Sequence, residues 1–249
     1  MTCSNNAGSW AFIDDMIGSF DGSGTNFPFQ NGMVISTGNA ISGANTLNTN
    51  VLGDGNTSWG TDSDLENALG ISGTLNATSI EFDFVSISNQ IQFNYIFASE
   101  EYDPPFECGF TDSFVFLITE AGSGNPYNNI AVVPGTSTPV NSTNVHPDFR
   151  PQFCGPQNAQ YFEGYNIGNT NFNGNTTVLT ATASIIPNVV YHIKLIIADQ
   201  DDQFKDSAVF IEGNSFNATV DLGDDIITCA SSLTLDGDVG NATATYSWF

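Results

Sequence analysis

The sequence predicts an all-β fold, a jelly-roll-like β-sandwich with long loops. Three observations carry that expectation. The run Ser79-Ile-Glu-Phe-Asp-Phe-Val85 alternates polar and apolar residues, and Ile91, Phe93, Tyr95 and Phe97 alternate in the same way to share one face. Short runs of this kind recur with Gly, Pro and Asn turn signals between them. No helical periodicity lasts beyond two turns.

Along the chain, Trp10–Ile17 reads as a helical turn or an edge strand. Gly32–Thr37 reads as a buried strand ended by Gly38-Asn39. A long polar loop follows. Its last part, Asp62–Leu69, suits one short helix, with Ser63 and Glu66 spaced as a capping box. Phe114–Ile118 is apolar on both faces, which predicts a central strand. Asn129–Val133 reads as a strand closed by Pro134-Gly135, and residues 134–170 as a Pro/Asn/Gly-rich insertion. Thr176–Ala183 is β-prone, Ile186-Pro-Asn188 is a turn, and strands follow from Tyr191 and over Ala208–Glu212.

The chain carries 27 Asp+Glu against 3 Lys+Arg, a net charge of -24, and 40% hydrophobic residues including 20 Phe. It can bury a core, but its field repels nucleic acid and anionic membranes and attracts divalent cations. Most of its carboxylates can have no salt-bridge partner. No apolar run is long enough to span a membrane as a helix. Met1-Thr-Cys-Ser-Asn has no leader character, which predicts a chain whose secretion signal is gone. Cys3, Cys108, Cys154 and Cys229 form no C-x-x-C pair. Cys108 and Cys154 sit in similar loops, Glu-Cys-Gly and Phe-Cys-Gly, and a disulfide between them is expected in an oxidising compartment. Cys3 and Cys229, at the two ends, could pair with each other or outside the chain.

Two stretches echo one another. Ile91–Ala98, the acidic loop Ser99-Glu-Glu-Tyr-Asp103 and Asp112-Ser-Phe-Val-Phe116 match Tyr191–Ala198, the loop Asp199-Gln-Asp-Asp202 and Asp206-Ser-Ala-Val-Phe210. We read them as two core hairpins whose loops emerge at one end of the sandwich. Glu100, Glu101, Asp112, Asp199, Asp201 and Asp206 would then meet as oxygen ligands for Ca2+. Asp54, Asp62 and Asp64 form a weaker second cluster, better read as solvated loop. Tyr102, Phe106, Tyr161 and Tyr165 fall in loops, where they could stack on sugar rings or plug the end of the sandwich.

Gly32-Met-Val-Ile-Ser-Thr-Gly-Asn-Ala40, Phe97-Ala-Ser-Glu-Glu-Tyr102, Asp112-Ser-Phe-Val-Phe116, Asn129-Ile-Ala-Val-Val-Pro-Gly-Thr136 and Ile197-Ala-Asp with Asp206-Ser-Ala-Val-Phe210 occur in this order. The chain thereby resembles the bacterial choice-of-anchor L domain over roughly residues 15–217. That resemblance implies a secreted, surface-attached bacterial protein; it implies no enzymatic activity. We divide the chain into a sandwich over 1–218 and a segment over 219–249 that resembles the first strands of a PKD-like, immunoglobulin-like module, with Trp248 as its core residue. Three strands do not complete such a module, which predicts a piece of a longer protein or one completed by another chain.

Catalysis fits poorly. There is no Gly-x-Ser-x-Gly elbow and no zinc spacing, and His192 lies in a strand pattern while His146 lies in the Pro-rich insertion. The expectation is an extracellular adhesive or structural domain stabilised by calcium, not an enzyme. Its partners would be surface glycans or other copies of itself. The alternatives are a calcium-dependent carbohydrate-binding module, or a filament or surface-layer subunit assembled by strand exchange.

Overall fold

The computed structural model describes residues 2–5, 16–44, 51–54, 60–147 and 154–219. Two antiparallel sheets form a sandwich. The larger is nine-stranded, with the path β1 (Thr2–Asn5), β2 (Ile17–Asp21), β3 (Asn31–Ser36), β12 (Ser207–Glu212), β5 (Gln90–Ser99), β9 (Gly174–Thr176) and β8 (Phe162–Tyr165). Two further strands, β10 (Leu179–Ser184) and β13 (Asn217–Thr219), also pair with β5. Each flank of this long strand is thus covered by two strands in succession, β12 then β13 on one side and β9 then β10 on the other. The smaller sheet runs β4 (Leu75–Val85), β11 (Val190–Asp199), β6 (Ser113–Glu120), β7 (Asn128–Asn129).

The alternation in β5 does what its pattern demands. Ile91, Phe93, Tyr95 and Phe97 all point into the space between the sheets, against Phe114, Phe116 and Ile118 of β6 and Ile193, Leu195 and Ile197 of β11. Aromatic contacts weld the layers: Phe93 to Phe116 at 4.8 Å and Phe97 stacked on Phe114 at 5.4 Å. The opposite faces are buried as well. Ile96, Ala98, Ala208 and Phe210 lie under Phe20, Phe27, Phe29, Leu52 and Phe172, while Val115, Leu117, Ile196 and Ala198 lie under Leu65 of helix α1 (Ser63–Leu69). Covered faces explain why these strands read as unbroken apolar runs.

The echoing stretches are not hairpins. β5 belongs to one sheet and β6 to the other; β11 and β12 are divided likewise. Each stretch is an arch crossing between sheets, and the partners are exchanged: β5 pairs with β12, and β11 with β6. Ala98 and Ser99 stand opposite Ala208 and Ser207, and Ala198 stands opposite Ser113. A tight hairpin uses a short turn, whereas the long Glu100–Asp112 connection can bridge sheets about 10 Å apart. Both arches still emerge at the same pole.

Two local expectations also change. The cap of α1 is Asp62, whose carboxylate accepts from the N–H groups of Asp64 and Leu65; Glu66 turns away to accept from the Thr74 N–H and hydroxyl. The 129–133 strand shrinks to Asn128–Asn129. There the Asn129 Oδ1 accepts from Phe116 N and Ala131 N, replacing ladder bonds with side-chain ones. Most of Trp10–Ile17, the Cys3 side chain, and the segment beyond Thr219 with Cys229 and Trp248 lie outside the described residues.

Candidate functional site

Where β5, β6, β11 and β12 end, the two arches converge. Six carboxylates are buried here: Glu100, Glu101, Glu107, Asp112, Asp199 and Asp206, each no more than 4% exposed. The two Asp-Ser pairs lock the arches crosswise. The Ser207 hydroxyl donates to Asp112 Oδ2 at 2.5 Å and stands 2.8 Å from the Ser99 hydroxyl, which also accepts from Glu101 N. Asp112 Oδ1 accepts from Gln200 N, joining the first arch to the second. Asn76, held at positive φ at the start of β4, donates through Nδ2 to Asp199 Oδ2 at 2.6 Å. Asp206 Oδ2 accepts from Asp54 N at 2.8 Å. Gly38 packs so closely that a Cβ there would strike the Asp206 carboxylate.

Among the described residues, donors run out before acceptors do. Glu101 Oε2, Glu107 Oε2, Asp199 Oδ1, Asn76 Oδ1 and Gln203 Oε1 are buried oxygens that accept no hydrogen bond from them. Among the described residues the nearest cation is Lys205, whose Nζ donates to Asp103 Oδ2 at 2.8 Å and to the Glu100 carbonyl, 4.1 Å from the Phe106 ring centre. One ammonium cannot neutralise this group. Burial pushes Glu100 and Glu101 up to about 7 despite Lys205. Burial likewise raises Asp199 to about 8, against the favourable Asn76 amide and Thr37 hydroxyl. Asp112, buried and facing Asp199, rises well above the carboxylate range. Desolvation and like charge act in the same direction here.

The site departs from expectation in several places. Asp201 is exposed at positive φ, outside the buried group. Tyr102, 1% exposed, packs on Phe162 and Phe97 and offers no face to a ligand. It plugs the end of the sandwich because Gly174 leaves room for its ring. Tyr161 and Tyr165 are half-buried, and the Tyr165 hydroxyl donates to Glu107 Oε1 at 2.8 Å. Phe106 is 39% exposed beside Phe110. Glu107, Asn76 and Gln203 escaped the sequence reading. The Asn76 role depends on its backbone conformation and on β4 lying beside β11, neither of which a motif displays.

Asp62 and Asp64 hold Lys194 at 2.7 and 2.8 Å, so that cluster is matched to a lysine from β11. Asp54 serves the acidic pole through its backbone, and its carboxylate accepts from the Ser42 hydroxyl. His146 is buried, with Nδ1 3.0 Å from the Pro147 carbonyl; His192 lies 2.7 Å from Asp83 on the outer face of β11. Among the described residues, no three His, Cys, Asp or Glu side chains already converge as a coordination shell.

Cys108 and Cys154 form a disulfide with Cα atoms 5.7 Å apart, tying the first arch to the 134–170 insertion. No helix among the described residues is long and apolar enough to cross a membrane. No curated protein and no solved structure matches the chain. The family model of the choice-of-anchor L domain matches residues 1–217, most of the chain. The chain belongs to the choice-of-anchor L domain family, and with it to the extracellular or cell-surface proteins of bacteria.

Proposed function

We propose that this domain is an adhesive or structural module of a bacterial surface protein, without catalytic function, whose acidic pole is braced by calcium. The observation that carries the reading is the surplus of buried oxygen acceptors over donors between the two arches. An all-oxygen set of carboxylates and side-chain amides suits a hard cation, and calcium tolerates irregular shells of six to eight oxygens. Asp112, Asp199, Asp206 and Glu101 would supply charge, with Asn76 and Gln203 as neutral donors. Because these groups do not converge beforehand, binding includes a closing step in which side chains rotate and the arches draw together. The bound ion would supply the positive charge that Lys205 alone cannot. Surface glycans or further copies of the module are the partners such a role implies, and exposed Phe106 and Phe110 are the aromatic faces beside the pole.

The test is thermal unfolding at pH 7.5 with millimolar calcium against EGTA. At 100-fold over Kd, calcium adds about 2.7 kcal/mol, a rise of roughly 5–10 °C for a chain of this size. Asp199→Asn should abolish most of that rise. Identical midpoints in calcium and chelator would sink the proposal.

A further inference from the structure

The smaller sheet ends in a strand with an open outer edge. β4 stands first in the order β4, β11, β6, β7, and among the described residues no strand pairs with it on the side away from β11. The register shows which of its backbone groups face outward. Ala121 N donates to the Val190 carbonyl, so the even-numbered residues of β11 bond to β6, and Tyr191, Ile193 and Leu195 bond to β4. Their partners there are Phe84, Phe82 and Ile80. The N–H and C=O groups of Ser79, Glu81, Asp83 and Val85 therefore point away from the sheet, as the N–H of Ala77 does where it donates to the Gly60 carbonyl. All four residues are exposed, and no described residue bonds to these outward groups. Such an edge is a template for one more strand.

The two faces of the edge say what an added strand must carry. Toward the core, Ile80 and Phe84 pack against the buried cluster, and Phe82, 39% exposed, stands edge-on to Phe216, 41% exposed, with ring centres 5.9 Å apart. Apolar side chains of an incoming strand would lie on these two rings. On the outer face Glu81 and Asp83 stand two residues apart, with the His192 ring 2.7 Å from Asp83 and 3.7 Å from Glu81. Opposite charges across a strand pair are favourable and like charges are not. The chain itself is poorly equipped to meet that demand. It has 3 Lys+Arg against 27 Asp+Glu; Lys194 is held by Asp62 and Asp64, and Lys205 by Asp103. A second copy paired antiparallel about Phe82 would set Glu81 against Asp83. We propose that the outer edge of β4, residues 79–85, binds an extended segment of another protein in which apolar and basic residues alternate. Main-chain bonds would hold it as an added strand, and the alternation would set its face, apolar on Phe82 and Phe216, basic on Glu81 and Asp83. None of these residues belongs to the acidic pole, so the inference stands independently of calcium.

The test uses the full 249-residue chain and two capped synthetic heptapeptides, one alternating valine with lysine and one alternating valine with glutamate. At saturation the lysine peptide should slow amide exchange at least tenfold at Ser79, Glu81, Asp83 and Val85. The glutamate peptide should bind at least tenfold more weakly. Glu81→Gln/Asp83→Gln should weaken the lysine peptide at least tenfold. Glu163→Gln/Asp201→Asn, which removes the same charge from exposed positions elsewhere, should leave its affinity unchanged. Equal loss in the two double variants, or binding without slowed exchange at those four amides, would reduce the effect to general charge attraction and overturns the inference. So does slow exchange of the four amides in the free chain, which would mean that the edge is already occupied; a dimeric mass alongside it would make a second copy the occupant.

Discussion

Burial pushes Glu100 and Glu101 up to about 7 and Asp199 to about 8, and each shift ties stability to pH. Between the ordinary carboxylate range of about 4 and these raised values, the folded state holds protons that the unfolded chain has released. Stability from these groups is therefore fully present below about pH 4 and is lost as pH rises through 7 to 8. In EGTA, the melting temperature should fall between pH 5 and pH 8.5, and Glu101→Gln should flatten that fall. Calcium should remove most of it, because the ion replaces the protons. A melting temperature that climbs over this interval in chelator contradicts the assignment. Much of this site was legible in the residues themselves. Phe97-Ala-Ser-Glu-Glu-Tyr102 and the repeated Asp-Ser named four of the buried carboxylates. Burial was not legible: Tyr102 and Asp201 both lie in polar loops, yet one is buried and the other in water.

At the scale of elements, helix α1 is fixed by one residue with two duties. Asp62 caps the helix through the N–H groups of Asp64 and Leu65, and its other oxygen holds Lys194. Asp62→Asn keeps a good cap and loses only the charge, whereas Asp62→Ala loses both. The Ala variant should lower stability by about 2 kcal/mol, with about 1 kcal/mol from the cap. The Asn variant should fall between it and the wild type in urea unfolding. Equal midpoints for Ala and Asn would mean that the cap contributes nothing. The strands were legible wherever side-chain period alone specifies them, as in β5. The pairing of β5 with β12 was not. A hairpin and an arch can carry the same alternation, and what separates them is which sheet the second strand joins, a matter of distant packing. Nor could spacing show that an asparagine side chain truncates β7.

At the scale of the whole molecule, Cys108–Cys154 closes a long loop, with a sequence separation of 46. Chain-entropy arguments assign such a closure about 4 kcal/mol. Its removal also frees the first arch beside Glu107. Reduction, or Cys108→Ser/Cys154→Ser, should lower the melting temperature by roughly 10 °C and weaken the calcium effect with it. An unmoved midpoint would show that the insertion is held by packing alone. The division at 218–219 rests on a change of sequence character whose later part lies outside the described residues.

The placement of the first and last described strands has a mechanical consequence. Thr2 stands opposite Asp21, and Thr219 opposite Gln90, so both strands point out of the pole remote from the carboxylates. Opposed forces applied at these two points would pull across the sheet rather than along β1 and β13. The backbone hydrogen bonds of those strands would be opened one at a time from this pole rather than loaded together in shear. The force would enter and leave at one pole, and the arches at the other would stay outside its path, keeping their shape while the tether is pulled.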